Sequence, residues 1–241
     1  MNFYIFFWKH VKIPKSKRFS SFFYTFASMN TQTDYSFIHS LIEQGEHQQQ
    51  DFKFEISDAR KIARTLSAFA NTDGGRLLIG VKDNGKISGI KSEEEIYMID
   101  AAAQMYCTPK VDYEMTTYLV EGKQVLMVEV KESALKPVYA KDECDKPLAY
   151  LRIKDETILA TPIHLCIWKQ SCGDKGQLLR FSEHEQGLLK ELTQYDKITM
   201  NQFCRLAGLP RKASQDLLAK FIRYDIAEAI FESHKFYFRL K

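Results

Sequence analysis

The spacing of hydrophobic and polar positions changes several times along the chain, and each change predicts an element. Asp34 stands where it can cap a helix carrying Phe37, Leu41 and Ile42 on one face. "DFKFE", Asp51 to Glu55, alternates with period two, which predicts a strand with Phe52 and Phe54 inward and Asp51 and Lys53 on the opposite face. Ser57 then reads as the cap of a helix whose apolar residues Ile62, Leu66, Phe69 and Ala70 return on one side. Gly74-Gly75 end that helix, "RLLIGV" follows as an interior strand, and Asp83-Asn84-Gly85 is a hairpin turn returning through "KISGI".

Ser92 to Glu95 reads as a capping box opening a helix through Ile96, Ile99, Ala102 and Ala103. "YEMTTYLVEGKQVLMVEV" predicts two strands about a Glu121-Gly122 turn, "PVYA" and "AYLRI" two shorter ones, and Pro162 the start of a short helix through Trp168. Hairpins among these strands exclude a purely parallel sheet. The fold class expected is therefore α+β, a mixed sheet flanked by helices over residues 29–169. Residues 170–181 turn to Gly, Ser and charge and read as a linker. Beyond it, helical patterns over Glu183–Leu192, Thr199–Leu206 and Lys212–Tyr224 precede an alternating hairpin that turns near Ser233-His234. Three helices and a hairpin over 182–241 are the element order of a small winged helix-turn-helix domain.

Composition changes this picture at one end of the chain. The 241 residues carry a formal net charge of +3. Residues 1–28 hold Lys9, Lys12, Lys15, Lys17 and Arg18 and no acid, so residues 29–241 are at −2 and the global charge is no argument for a polyanion. The same segment is dense in aromatics placed ahead of the basic residues, the reverse of a signal peptide. Met29 opens a polar stretch and is read as an alternative start, with residues 1–28 a disordered or mis-annotated extension. Five cysteines without a C-x-x-C pair and six dispersed histidines predict reduced thiols, a cytoplasmic setting and no zinc site. No run reaches the roughly 18 apolar residues of a transmembrane helix.

Two groups of residues could carry chemistry. Gly74 and Gly75 could form a backbone nest for a phosphate, although the Walker pattern G-x-x-x-x-G-K-[ST] is absent. Glu46 enters the first strand, Asp51 and Lys53 lie on it, and Asp83 follows "RLLIGV". If those two strands are neighbours, three carboxylates and a lysine gather at one sheet edge, as a Mg²⁺- or Mn²⁺-dependent phosphodiesterase requires. From spacing alone, a solvated Glu46, a turn-forming Asp83 and a surface Lys53 explain the same residues.

"EHQQQDFKFE…SDARKIARTLSAFANTDGGRLLIGVKDNGKISGI", Glu46 to Ile90, resembles the Schlafen AlbA-type domain family, also called divergent AAA domains. Weaker similarity continues to about Trp168. The resemblance implies the fold, nucleic-acid binding, and a C-terminal winged helix with a transcriptional-regulator or ATP-binding role, as in bacterial relatives. Some animal Schlafens are metal-dependent RNA endonucleases, and by motif position their three carboxylates fall on Glu46, Asp51 and Asp83. His47 replaces the usual Ser and Asp51 the usual Glu. In the C-terminal segment, Arg211, Lys212, Ser214 and Gln215 open the candidate recognition helix. The expectation is thus a nucleic-acid-binding regulator. The alternatives are a Mg²⁺- or Mn²⁺-dependent endonuclease acting on RNA in preference to DNA, and a nucleotide sensor. A homodimer built on the winged helix is a further expectation.

Overall fold

The computed structural model describes residues 24–25, 31–171 and 181–241. Of the 1–28 segment only Tyr24–Thr25 is described, as strand β1; the rest, and most of the expected linker, lie outside the described residues.

Helix α1, Thr31–Glu43, begins ahead of Asp34, which falls in its first turn instead of capping it. Ile38 and Leu41 are buried while Phe37 stays exposed against Tyr118, ring centroids 5.5 Å apart. Strand β2, Gln50–Lys53, leads to α2, Ala59–Asn71. The cap of α2 is Asp58, not Ser57: the Asp58 carboxylate accepts from the Arg60 N–H at 2.8 Å. Strand β3, Gly75–Ile79, pairs in parallel with β2. After β3 the Asp83-Asn84-Gly85 turn closes, but "KISGI" contributes only a single bridge, Val81 to Ile87.

Helix α3, Glu94–Ala101, continues into a π-helical turn over Ala102–Tyr106. The expected capping box does not form. Glu95 turns inward instead, accepting from the N–H groups of Ile56 at 3.0 Å and Lys91 at 2.7 Å. Then come β4, Cys107–Thr108, β5, Tyr113–Val120, and β6, Lys123–Val130, the last two joined by the Glu121-Gly122 turn with φ of 53° and 71°. Strands β7, Tyr139–Lys141, and β8, Pro147–Ile153, are followed by β9, Glu156–Leu159, which the sequence pattern did not separate from its surroundings.

Two sheets result, ordered β1-β5-β6-β3-β2 and β4-β7-β8-β9. The first is mixed: β1–β5 and β2–β3 are parallel, β3–β6 and β5–β6 antiparallel. Helix α2 lies between the sheets, and its apolar stripe (Ile62, Leu66, Phe69 and Ala70) forms the centre of the main core with Leu77, Ile79, Leu126 and Val128. Asn71 fixes α2 to the second sheet. Its side-chain amide donates to the carbonyls of Val138 at 2.8 Å and Tyr150 at 3.0 Å, and its carbonyl accepts from the Val138 N–H at 2.7 Å.

Helix α4, Pro162–Ser171, packs into a separate core formed by the C-terminal segment, where Ile163 is buried with Leu188, Phe203, Leu218 and Phe238. That segment holds α5, Glu183–Leu192, α6, Met200–Ala207, α7, Arg211–Arg223, and the antiparallel pair β10, Ala227–Glu232, and β11, Lys235–Leu240. Ser182 and Thr199 both close full capping boxes, with Glu185 and Gln202. Ile198, between α5 and α6, bridges to Phe238 of β11.

Candidate functional site

Parallel pairing of β2 with β3 sends both C-terminal ends to the same side of the sheet, and a backbone bond from Gly80 N–H to Lys53 O at 2.8 Å ties them there. The consequence is a cleft of about 450 Å³ whose lining includes Glu46, Asp51, Lys53 and Asp83. The four residues singled out by spacing therefore do meet around one space.

Their bonding is another matter. Asp51 is only 4% exposed, and both its oxygens are engaged: Oδ1 with the Arg152 guanidinium at 3.1 Å, Oδ2 with the Lys53 ammonium at 2.6 Å. Arg152, 2% exposed, also donates to the carbonyls of Gln50 at 3.0 Å and His47 at 3.4 Å and to Thr157 Oγ1 at 3.3 Å. Such a multiply bonded guanidinium is how a buried charge is tolerated. Glu46 Oε1 accepts from the Phe52 N–H at 2.8 Å. Burial and the neighbouring Asp51 carboxylate, to which Glu46 is hydrogen-bonded, raise the Glu46 pKa, against the lowering pull of the Phe52 N–H and Lys53. The His47 pKa is lowered by burial and by Arg76 and Arg152.

A divalent cation needs carboxylate oxygens free to point at one spot. Here the oxygens of Asp51 face two cations, and among the described residues no three His, Cys, Asp or Glu side chains gather as metal ligands. Three carboxylates are the right kind of donor, but in this arrangement Asp51 is bound by Lys53 and Arg152 and the three do not converge on one point.

The same cleft brings in residues that the sequence reading passed over. Lys61 and Arg64 reach it from the first turns of α2, three residues apart and so on one helix face. Arg152 reaches it from β8. Lys61 is exposed and has no ion-pair partner among the described residues; Arg64 is 3.9 Å from Glu143. A signal for these residues did exist. Arg60, Lys61 and Arg64 crowd the N-terminal turns of α2, where the helix dipole disfavours cations. Arg152 had a fainter one, a lone charge inside "AYLRI".

Gly74 and Gly75 behave differently from the expected nest. Gly74 has φ of +72° and donates its N–H to Phe69 O at 3.0 Å, so that group is not available to an anion. Gly75 is not left-handed; it begins β3, and a Cβ there would lie 2.4 Å from the Phe69 ring. Asp73, Glu114, Glu129 and Glu132 line the space beside them, which opposes a phosphate. The two glycines serve chain reversal and close packing.

In the C-terminal segment, Ser214 is fully buried and its Oγ donates to Leu209 O at 3.1 Å, so it cannot reach a nucleic acid from this conformation. Arg211 is held by Asn201 Oδ1 at 2.8 Å. Lys212 and Asp216 share a face of α7, one turn apart, and α4 packs along α7 with Cys166 Sγ 3.4 Å from Asp216 Oδ1. Lys212 is exposed and Gln215 half-buried. Of the four residues, Ser214 alone is closed off, while Arg211 and Lys212 are exposed.

The family model described as Schlafen, AlbA_2 matches residues 46–161, from Glu46 at the cleft to the turn before α4. No curated protein matches the chain. Among solved structures, the DIP2311 protein from Corynebacterium diphtheriae is similar at 18% identity and a TM-score of 0.41 over 68% of this chain. The chain spans only 40% of that protein's length. The N-terminal domain of a RecG-related protein from Nitrosomonas europaea is similar at 23% identity and a TM-score of 0.37, over 63% of this chain and 97% of that domain.

Proposed function

Residues 46–161 belong to the Schlafen AlbA_2 family, and from that premise we propose that the chain is a nucleic-acid-binding protein whose contact surface is the cleft at the ends of β2 and β3. The observation that carries this reading is the meeting of Lys53, Lys61, Arg64 and Arg152 at one space, shared with Glu46, Asp51, Asp83 and Asp155. With Lys53 and Arg152 bound to Asp51, Lys61 and Arg64 are the lining cations not bound to a lining carboxylate. Buried Arg152 and half-buried Lys53, both bound to Asp51, fix the floor; half-buried Arg64 and exposed Lys61 are placed for phosphates. The family resemblance adds nucleic acid as the expected polyanion.

The C-terminal segment is read as a winged helix-turn-helix module, supported by the order α5-α6-α7-β10-β11 and by the Ile198–Phe238 bridge that adds a third strand position to the hairpin. Its part in regulation follows from carrying the cleft domain to a target, not from α7 reading bases. Cleavage is the weaker reading, because it needs the Asp51 oxygens that Arg152 and Lys53 hold.

The test is incubation of the full chain with labelled single-stranded RNA, single-stranded DNA and duplex DNA, in Mn²⁺ and in chelator. Retention of nucleic acid in both conditions, with the label intact, is expected. Cleavage in Mn²⁺ alone would replace this reading with the nuclease one. Failure to retain any of the three at low salt would overturn it.

A further inference from the structure

Phe54 is the residue on which the expected strand pattern fails. Alternation puts it inward with Phe52, yet β2 ends at Lys53, and Phe54 is 36% exposed while Phe52 is buried. Its ring is not isolated. The Lys82 ammonium lies 4.8 Å and the Lys91 ammonium 5.1 Å from its centroid. Its chain neighbour Lys53 and the Asp83 that follows Lys82 both line the cleft, which places the ring one residue from that lining and not in it.

The turn after β3 holds Lys82 in place. Lys82 N–H donates to Lys86 O at 3.0 Å, Lys82 O accepts from Gly85 N–H at 2.7 Å, and Asn84 Oδ1 accepts from Lys86 N–H at 3.1 Å. Lys82 is exposed and has no ion-pair partner among the described residues, while Lys91 pairs with Glu55. A flat apolar surface is thereby set beside one cation, Lys82, that no ion pair holds among the described residues. That combination matches one nucleotide, whose base has a π-face and whose phosphate is an anion.

The geometry points to Phe54 as a base-stacking platform beside the cleft, with Lys82 and Lys61 taking the flanking phosphates, and so to single-stranded nucleic acid as the substrate class. The inference rests on the nucleic-acid reading above and narrows it. Duplex bases are already stacked on one another and cannot lie on an exposed ring without being unstacked, whereas a single strand offers them freely.

The experiment measures anisotropy of labelled 12-mers binding to the full chain: single-stranded RNA, single-stranded DNA, the matching duplex, and an abasic single strand of equal length. Phe54→Ala and Phe54→Leu are expected to weaken both single strands about 5- to 150-fold, with Phe54→Tyr restoring wild-type binding. Binding of the abasic strand, which has phosphates and no bases, is expected to be the same in all four proteins. Leucine keeps the apolar volume without the π-face, so wild-type affinity in Phe54→Leu would overturn stacking. Tighter wild-type binding to duplex than to single strands would overturn the substrate class, and the cleft would remain a polyanion surface. If the wild type binds none of the four probes, the nucleic-acid reading itself falls, a result distinct from the first two.

Discussion

The two folded parts of this chain place their charged side chains in opposite ways. In the C-terminal segment, Arg239–Glu228 at 2.5 Å lies at the surface and the half-buried Lys220–Glu185 pair at 2.8 Å joins that segment's own elements. In the Schlafen AlbA_2 domain, Arg152 and Asp51 are buried together at 3.1 Å, with Lys53 completing the set, and their bonds define the floor of a cleft. Net charge alone points a polyanion to the C-terminal segment: residues 182–241 carry +2 and residues 29–181 carry −4. What distinguishes the cleft is convergence, four cations and four carboxylates around one space, with two of the cations bound to Asp51.

The largest effect that could break this contrast is on stability. Arg152→Ala leaves the buried Asp51 carboxylate and the Gln50 and His47 carbonyls short of their donor, and is expected to cost about 3 to 5 kcal/mol in denaturant unfolding. The matching cut across the surface pair, Arg239→Ala, is expected to cost about 1 kcal/mol or less. Similar costs for the two would mean that the cleft floor is no more organised than the surface.

A smaller effect sharpens the other side of the comparison. His164, on α4, packs against Phe236 with centroids 4.8 Å apart, and its Nδ1 is 2.8 Å from Thr161 Oγ1. Burial lowers its pKa from 6.5 to about 4. A folded-state value below the unfolded one means that stability is complete above pH about 6.5 and is lost as pH falls toward 4. The ring is half-buried, which discounts the loss to about 1 to 3 kcal/mol. Thermal melts of wild type and His164→Gln across that window check it. The variant is expected to be flatter between pH 6.5 and 4, and parallel curves would show that α4 is not held through a neutral imidazole.

Much of the architecture was legible in the sequence because local pattern and tertiary context agreed. The β5–β6 hairpin, the three C-terminal helices and the terminal hairpin lie within a residue or two of their expected positions. The misreadings fall where a side chain answers to a distant partner. Glu95 looked like a capping-box acid but is drawn inward by the N–H groups of Ile56 and Lys91. Phe54 obeyed the alternation of a strand that ends one residue before it. Gly75 looked like a left-handed turn residue, although its smallness is required by the Phe69 ring. The candidate site was half visible. Glu46, Asp51, Lys53 and Asp83 do share a cleft, but no spacing rule could show that Arg152, 101 residues beyond Asp51, would claim that carboxylate. That pairing occupies the carboxylate on which the expected metal site depends.

The central claim is that nucleic acid is bound at the cleft and not by α7. The most direct measurement is the salt dependence of single-strand affinity for three proteins: wild type, the cleft double variant Lys61→Ala/Arg64→Ala, and the α7 double variant Arg211→Ala/Lys212→Ala. Each phosphate contact removed lowers the slope of log affinity against log salt by about 0.7 for a single strand. The cleft variant is expected to bind more weakly with a slope reduced by about 1 to 1.5, and the α7 variant to follow the wild type. A loss of affinity and slope in the α7 variant, with the cleft variant unchanged, would contradict the account and return recognition to the C-terminal helix.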